Sequence, residues 1–166
     1  LEKIKSKLGT YAPILLDGVT GSGKTEVYFE LIADIIKNDS TKQILVLLPE
    51  IALSSQWSER FEKRFGVKPC LWHSEITQHK KQKIYNGLIN NTINVVVGAR
   101  SALFLPFNNL SLIVADEEHD NSYKQEETVY YNARDIAIYR ASINKCPIIL
   151  ASATPSLESW ANVNDK

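Results

Sequence analysis

Methionine is absent from all 166 positions, the first included, and the chain opens on Leu1-Glu2-Lys3-Ile4-Lys5. Such an opening, with the polar end Asn162-Val163-Asn164-Asp165-Lys166, is expected of a piece of a longer protein. Cysteine is nearly as scarce. Cys70 and Cys146 stand far apart, which argues against a disulfide scaffold and suits free thiols in a reducing compartment, the cytoplasm by default. No apolar run approaches the ~20 residues needed to cross a bilayer, and no signal-peptide core precedes the first strand-like segment, so no membrane role is expected. Net charge is lacking too: nineteen basic and nineteen acidic side chains cancel. No global field recruits nucleic acid, and any basic footprint must be local.

What is present begins with Gly18-Val19-Thr20-Gly21-Ser22-Gly23-Lys24-Thr25. It fits G-x-x-x-x-G-K-[ST], the phosphate-binding loop between a strand and a helix. Glycines let successive N–H groups curl inward at the positive end of the following helix. Gly18, Thr20, Gly21, Ser22, Gly23, Lys24, Thr25 and Glu26 are therefore the candidate nucleotide contacts. Lys24 is placed to reach the β- and γ-phosphates, and Thr25 to offer a hydroxyl to Mg²⁺. The context agrees: Ile14-Leu15-Leu16 precedes the loop, and Val27, Leu31 and Ile35 follow it beside Tyr28, Ile32 and Ile36 in a helical stripe.

Five runs, 14–16, 44–48, 93–97, 112–115 and 148–151, are apolar with little alternation. Continuous apolarity predicts burial on both faces, as in a parallel sheet covered by helices on each side. A shorter run, 69–72, is a candidate sixth strand. Helical patterns lie at about 24–38, 53–65, 76–90 and 133–143. Strand and helix in repeated alternation predict an α/β doubly wound fold: one P-loop domain over residues 1–166, its mostly parallel sheet flanked by helices on both faces. In such sheets ligands gather at the carboxyl ends of the strands, where every polar cluster of interest falls.

Leu112-Ile113-Val114-Ala115 runs into Asp116-Glu117. With the phosphate loop in hand, Asp116 is the candidate to hold Mg²⁺ through water, and Glu117 to orient and deprotonate the attacking water, so Lys24, Asp116 and Glu117 are the candidate catalytic residues. Ser152-Ala153-Thr154 ends the last run. Thr154-Pro155 reads as an N-cap with proline at the first helical position, and capping alone could account for both Ser152 and Thr154.

Together the loop, Leu48-Pro49-Glu50, Gly98-Ala99-Arg100-Ser101-Ala102, Asp116-Glu117-Glu118-His119 and Ser152-Ala153-Thr154 stand in the order of motifs I, Ia, Ib, II and III of superfamily 2 helicases, and the chain resembles that family. Within it, the 16–28 segment, Arg100-Ser101-Ala102-Leu103-Phe104 and Asp116 through Gln125 resemble its primosomal, replication-restart branch. The resemblance implies the first of two RecA-like lobes of a bacterial motor that uses ATP and Mg²⁺. Implied partners are single-stranded or forked DNA, replication-restart proteins, and a second lobe bearing an arginine finger. Zinc is implied only for a region outside these residues. Pro49, Arg100, Ser101, Ser152 and Thr154 are carried over as DNA-side residues, together with an aromatic-rich loop, Tyr123 to Tyr131, that senses single-stranded DNA. Tyr123, Tyr130 and Tyr131 could offer stacking faces there and Lys124 and Arg134 could meet phosphates; the same rings could instead pack on the sheet edge.

Other signals carry less. Cys70-Leu71-Trp72-His73 has a metal-like spacing but too few ligands for zinc, and reads as a core cysteine and a loop histidine. Asn144-Lys145 lacks the aspartate of a guanine-reading motif, since position 147 is Pro147. Lys80, Lys81 and Lys83 read as a solvated helix face. Against the motor stand two other readings: another P-loop ATPase, and a nucleotide-gated module that binds DNA or protein without turnover.

Overall fold

The computed structural model describes residues 2–49, 55–126, 129–156 and 159–160. Glu50, Leu53 and the polar end 162–166 fall outside the described residues. A short helix α1 (Glu2–Lys5) is followed by β1 (Ala12–Asp17), α2 (Lys24–Asn38), β2 (Gln43–Leu47), α3 (Ser55–Phe65), β3 (Cys70–Trp72), α4 (Gln78–Ile89), β4 (Val95–Gly98) and β5 (Leu110–Asp116). A two-stranded hairpin, β6 (Lys124–Gln125) and β7 (Tyr131–Asn132), then leads into α5 (Ala133–Asn144) and β8 (Pro147–Ser152).

Six strands form one parallel sheet in the order β1-β8-β5-β2-β4-β3. The apolar runs explain it. In β2, Ile44 and Val46 face one layer with Tyr28, Phe29, Leu31 and Ile32 of α2, while Leu45 and Leu47 face the other with Ile84 and Leu88 of α4 and Ala137 of α5. Each fully buried Ile, Leu or Val contributes about 1.5–3 kcal/mol of transfer free energy, so a strand apolar on both faces is most stable between two helical layers. β1 departs from this expectation. It is an edge strand paired only with β8, and its residues are partly buried at best.

Two devices at the ends of the sheet fix its geometry. Where β4 ends, a Cβ on Gly98 would lie 2.6 Å from the Trp72 carbonyl and 2.8 Å from Ala102 Cβ, so only glycine admits this close approach. At the opposite edge, fully buried Gln43 donates to the carbonyls of Leu88 (2.8 Å) and Ile93 (3.3 Å). Its carbonyl accepts from the amides of Asn108 (2.8 Å) and Asn109 (2.9 Å). One side chain thus pins two loops beneath the sheet and satisfies their buried polar groups.

Candidate nucleotide site

Parallel pairing brings the ends of β1, β2, β5 and β8 to one edge, where a cleft of about 370 Å³ opens. Its walls come from the 20–26 loop and helix start, from Leu48 and Pro49 after β2, from Gln56, Trp57 and Arg60 of α3, and from Asp116 and Glu117. Gly21 (φ +80°) and Gly23 (φ +87°) take left-handed conformations open to glycine. Gly23 is the N-cap of α2 and places no side chain over its first turn. The leading amides, which lack intrahelical partners, are left to a ligand. Lys24 arches back over the loop, its Nζ donating to the carbonyls of Gly18 (2.6 Å) and Val19 (3.3 Å). The Gly18 amide donates to the Ser152 carbonyl (3.3 Å), tying the loop to β8.

Asp116 faces Lys24 across this cleft. Its Oδ2 accepts from the Tyr28 hydroxyl at 2.8 Å, and its Oδ1 from the Glu117 amide at 3.1 Å. Burial pushes the Asp116 carboxyl above its ordinary pKa, an effect opposed first by the Tyr28 hydrogen bond and less by the charges of Lys24 and Arg60. Glu117 adopts φ +50°, a left-handed conformation uncommon outside glycine. Its carboxylate lies 3.6 Å from His119 Nδ1, which shares a 2.6 Å hydrogen bond with Ser152 Oγ. Glu118 points the other way. Fully enclosed, it meets Arg134 (3.3 Å), the Ser156 amide (2.7 Å) and the Ser159 hydroxyl (3.1 Å).

Several residues expected to face DNA stand elsewhere. Tyr123 is 1% exposed, and its hydroxyl lies 2.7 Å from the Asp116 carbonyl and 3.0 Å from the Leu47 carbonyl. It is a core residue bridging β5 and β2 and offers no ring face to a base. Arg134 is likewise buried, in the ion pair with Glu118 and a second pair with Asp135. Ser152 is buried with its hydroxyl bonded to His119 and the Thr154 amide, and Pro49 is buried in the wall of the cleft described above. The helix cap also moves: Ser156, not Thr154, receives the Ser159 amide on its hydroxyl and the Trp160 amide on its carbonyl.

What stays on the surface is compact. Tyr130 is 80% exposed, and Tyr131 packs edge-on against exposed Phe104, their ring centroids 5.9 Å apart. The Arg100 guanidinium donates to the Lys124 carbonyl and fastens the hairpin to the turn after β4, and Ser101 Oγ accepts from Trp72 Nε1. Thr154 and Lys124 are exposed on the same edge. Trp57 and Arg60 carry no signal in the sequence, and Tyr28 and Phe104 stand there only as members of a helical stripe and of the Arg100–Phe104 stretch. Only the position of Tyr28 one turn beyond Thr25 hinted at its role. Cys70 is partly buried and Cys146 buried; burial pushes both thiols up to about 11. Among the described residues no group of three or more His, Cys, Asp or Glu is arranged to hold a metal ion, and no helix is long and apolar enough to cross a membrane.

A loop of phosphate-binding sequence, an acidic pair at the end of a parallel strand and a parallel sheet between two helical layers define the P-loop α/β class. The DEAD/DEAH box helicase model matches residues 4–163, and the chain belongs to that family. It is similar to the replication restart protein PriA of Rickettsia felis, 54% identical over 151 residues, 91% of this chain and 23% of that protein. Against PriA of Bacillus subtilis it is 47% identical over 147 residues, 89% of this chain and 18% of the relative. The chain thus spans about a fifth of the length of these relatives. Among solved structures, RecG bound to a three-way DNA junction superposes with a TM-score of 0.61 at 28% identity, covering 89% of this chain and 19% of RecG.

Proposed function

We propose that residues 1–166 form one ATP-binding lobe of a longer replication-restart helicase of the cytoplasm, binding Mg-ATP and coupling its hydrolysis to movement along single-stranded DNA. One observation carries the reading: the uncapped start of α2 and the Lys24 side chain line the same cleft as the Asp116–Glu117 pair. The residues fit the expected groups. The uncapped α2 start supplies donors for phosphate oxygens, and Thr25 and Asp116 supply the hard oxygen ligands that Mg²⁺ takes, directly or through water. When bound, the ion neutralises charge on the phosphates.

The chain's own groups then divide the work. Lys24 leaves its loop carbonyls to contact the phosphates. Glu117 accepts a proton from the water that attacks the γ-phosphorus as the bond to the bridging oxygen breaks. Arg60 in the cleft wall is paired with Glu26, and Arg100 and Arg134 are likewise engaged within this lobe; charge developing on the γ-phosphoryl group is met by an arginine of a second RecA-like lobe. DNA lies along the exposed edge formed by Tyr130, Tyr131, Phe104, Lys124, Ser101 and Thr154. Forked DNA and other replication-restart proteins are the partners of the longer protein, whose zinc lies in another region.

Thermal unfolding tests the nucleotide assignment. A ligand binding only the folded state at a hundred times its Kd adds about 2.7 kcal/mol, or roughly 5–11 °C for a chain of this size. Mg-ADP or Mg-ATP is expected to raise Tm on that scale, and Lys24→Ala to remove most of the shift. Equal shifts in both proteins would refute the assignment.

A further inference from the structure

The Tyr28 hydroxyl sits between two side chains that line the cleft, Asp116 and Trp57. It donates to Asp116 Oδ2 (2.8 Å) and accepts from the indole N–H of Trp57 (2.7 Å), all three residues being buried. The direction of the chain is fixed by chemistry. An indole nitrogen only donates, so the tyrosine oxygen must accept from Trp57 and send its single proton to the carboxylate. Trp57 is itself immobilised, stacked on Phe61 (5.3 Å between centroids) and edge-on to Phe29 (5.2 Å).

We infer that Tyr28 is a positioning residue for magnesium: its hydroxyl holds the Asp116 carboxylate in a fixed orientation, with Trp57 of α3 anchoring it from behind. With Oδ2 committed to Tyr28 and Oδ1 touched by the Glu117 amide, Asp116 cannot rotate without breaking a buried hydrogen bond to a charged group. Its remaining lone pairs stay turned to the cleft. This inference rests on the Mg-nucleotide reading above. Partners that orient metal ligands typically govern 10–100-fold in metal affinity.

The test is Tyr28→Phe, which keeps the ring and removes only the hydroxyl. Binding of a fluorescent ADP analogue is measured in EDTA and over a Mg²⁺ titration. The variant is expected to bind nucleotide in EDTA as wild type does, and to need about tenfold more Mg²⁺ for the tight state. A merely structural tyrosine would lower Tm without moving the Mg²⁺ midpoint, and an unmoved midpoint overturns the inference. If wild type itself gains no affinity from Mg²⁺, the Mg-nucleotide reading fails and takes the inference with it. Should Tyr28→Phe not fold, Trp57→Phe asks the same question from the other end of the chain: a higher Mg²⁺ requirement supports the inference, an unchanged one overturns it.

Discussion

Replacing Tyr123 by phenylalanine separates two roles for the root of the aromatic loop. The ring is fully enclosed and the hydroxyl is within hydrogen-bonding distance of two main-chain carbonyls, Asp116 (2.7 Å) and Leu47 (3.0 Å). Burial, reinforced by the charges of Asp116 and Asp120, pushes the phenol well above its ordinary pKa, so the donor proton is retained at any working pH. Removing it leaves buried acceptors short of a donor, a loss of about 1–2 kcal/mol. At about 2–4 °C per kcal/mol for a chain of this size, Tm should fall by roughly 2–8 °C. Tyr123→Ala removes the ring as well and should cost about 3–5 kcal/mol, comparable with the whole stability of a marginal domain. Urea unfolding followed by circular dichroism reads both values. Affinity for a labelled single-stranded oligonucleotide, measured on the folded Tyr123→Phe protein, should stay within about twofold of wild type. A variant that melts like wild type but loses oligonucleotide binding would show that the ring leaves the core to stack on a base, and the bridging role would be wrong.

Tyr130→Ala should do the reverse, keeping Tm within about 2 °C since surface substitutions rarely exceed ±0.5 kcal/mol, while weakening oligonucleotide binding by about 1–3 kcal/mol. Gly98→Ala drives a methyl group into the Trp72 carbonyl and Ala102, and chemical denaturation should show a loss of about 1–3 kcal/mol. With both thiols pushed up to about 11, roughly one in a thousand is thiolate at pH 8, so native alkylation should be slow and denaturant should release it. ATP hydrolysis by these residues alone should stay near background. Arginine fingers are worth on the order of 10³–10⁵ in rate, and a coupled phosphate assay showing strong DNA-stimulated turnover would refute the need for a second lobe.

Runs of apolar residues carried most of the fold, because a strand buried on both faces needs them and little else in this chain has them. α2 was legible from end to end: its start is set by the phosphate loop and its length by an uninterrupted stripe from Val27 to Ile35. The edge position of β1 was not legible, since Ile14-Leu15-Leu16 would suit a central strand equally well. Tyr123 misled for a related reason. Set among Asp120, Asn121, Ser122 and Lys124, it has the neighbours of a surface loop, and only the tertiary path shows its ring turned inward. Arg134 and Glu118 are matched charges sixteen residues apart that no local pattern pairs. Trp57 and Arg60 lie on an ordinary amphipathic helix, whose periodicity says which face is apolar but not that this face ends at a nucleotide cleft. The cap went to Ser156 because its hydroxyl can reach both the Ser159 amide and buried Glu118, a partnership invisible beside the more familiar Thr154-Pro155.

The left-handed backbone of Glu117 sets working geometry against resting stability. A non-glycine residue in that region costs about 1–2 kcal/mol, and here it is spent at the position that aims a carboxylate into the cleft. Glycine would relax the turn, so Glu117→Gly should melt no earlier than wild type while it removes the carboxylate proposed to activate the attacking water. Selection for thermal robustness alone, applied to a library at this site, would therefore favour variants that have lost this carboxylate. Any effort to harden this lobe has to hold position 117 fixed and find its gains elsewhere.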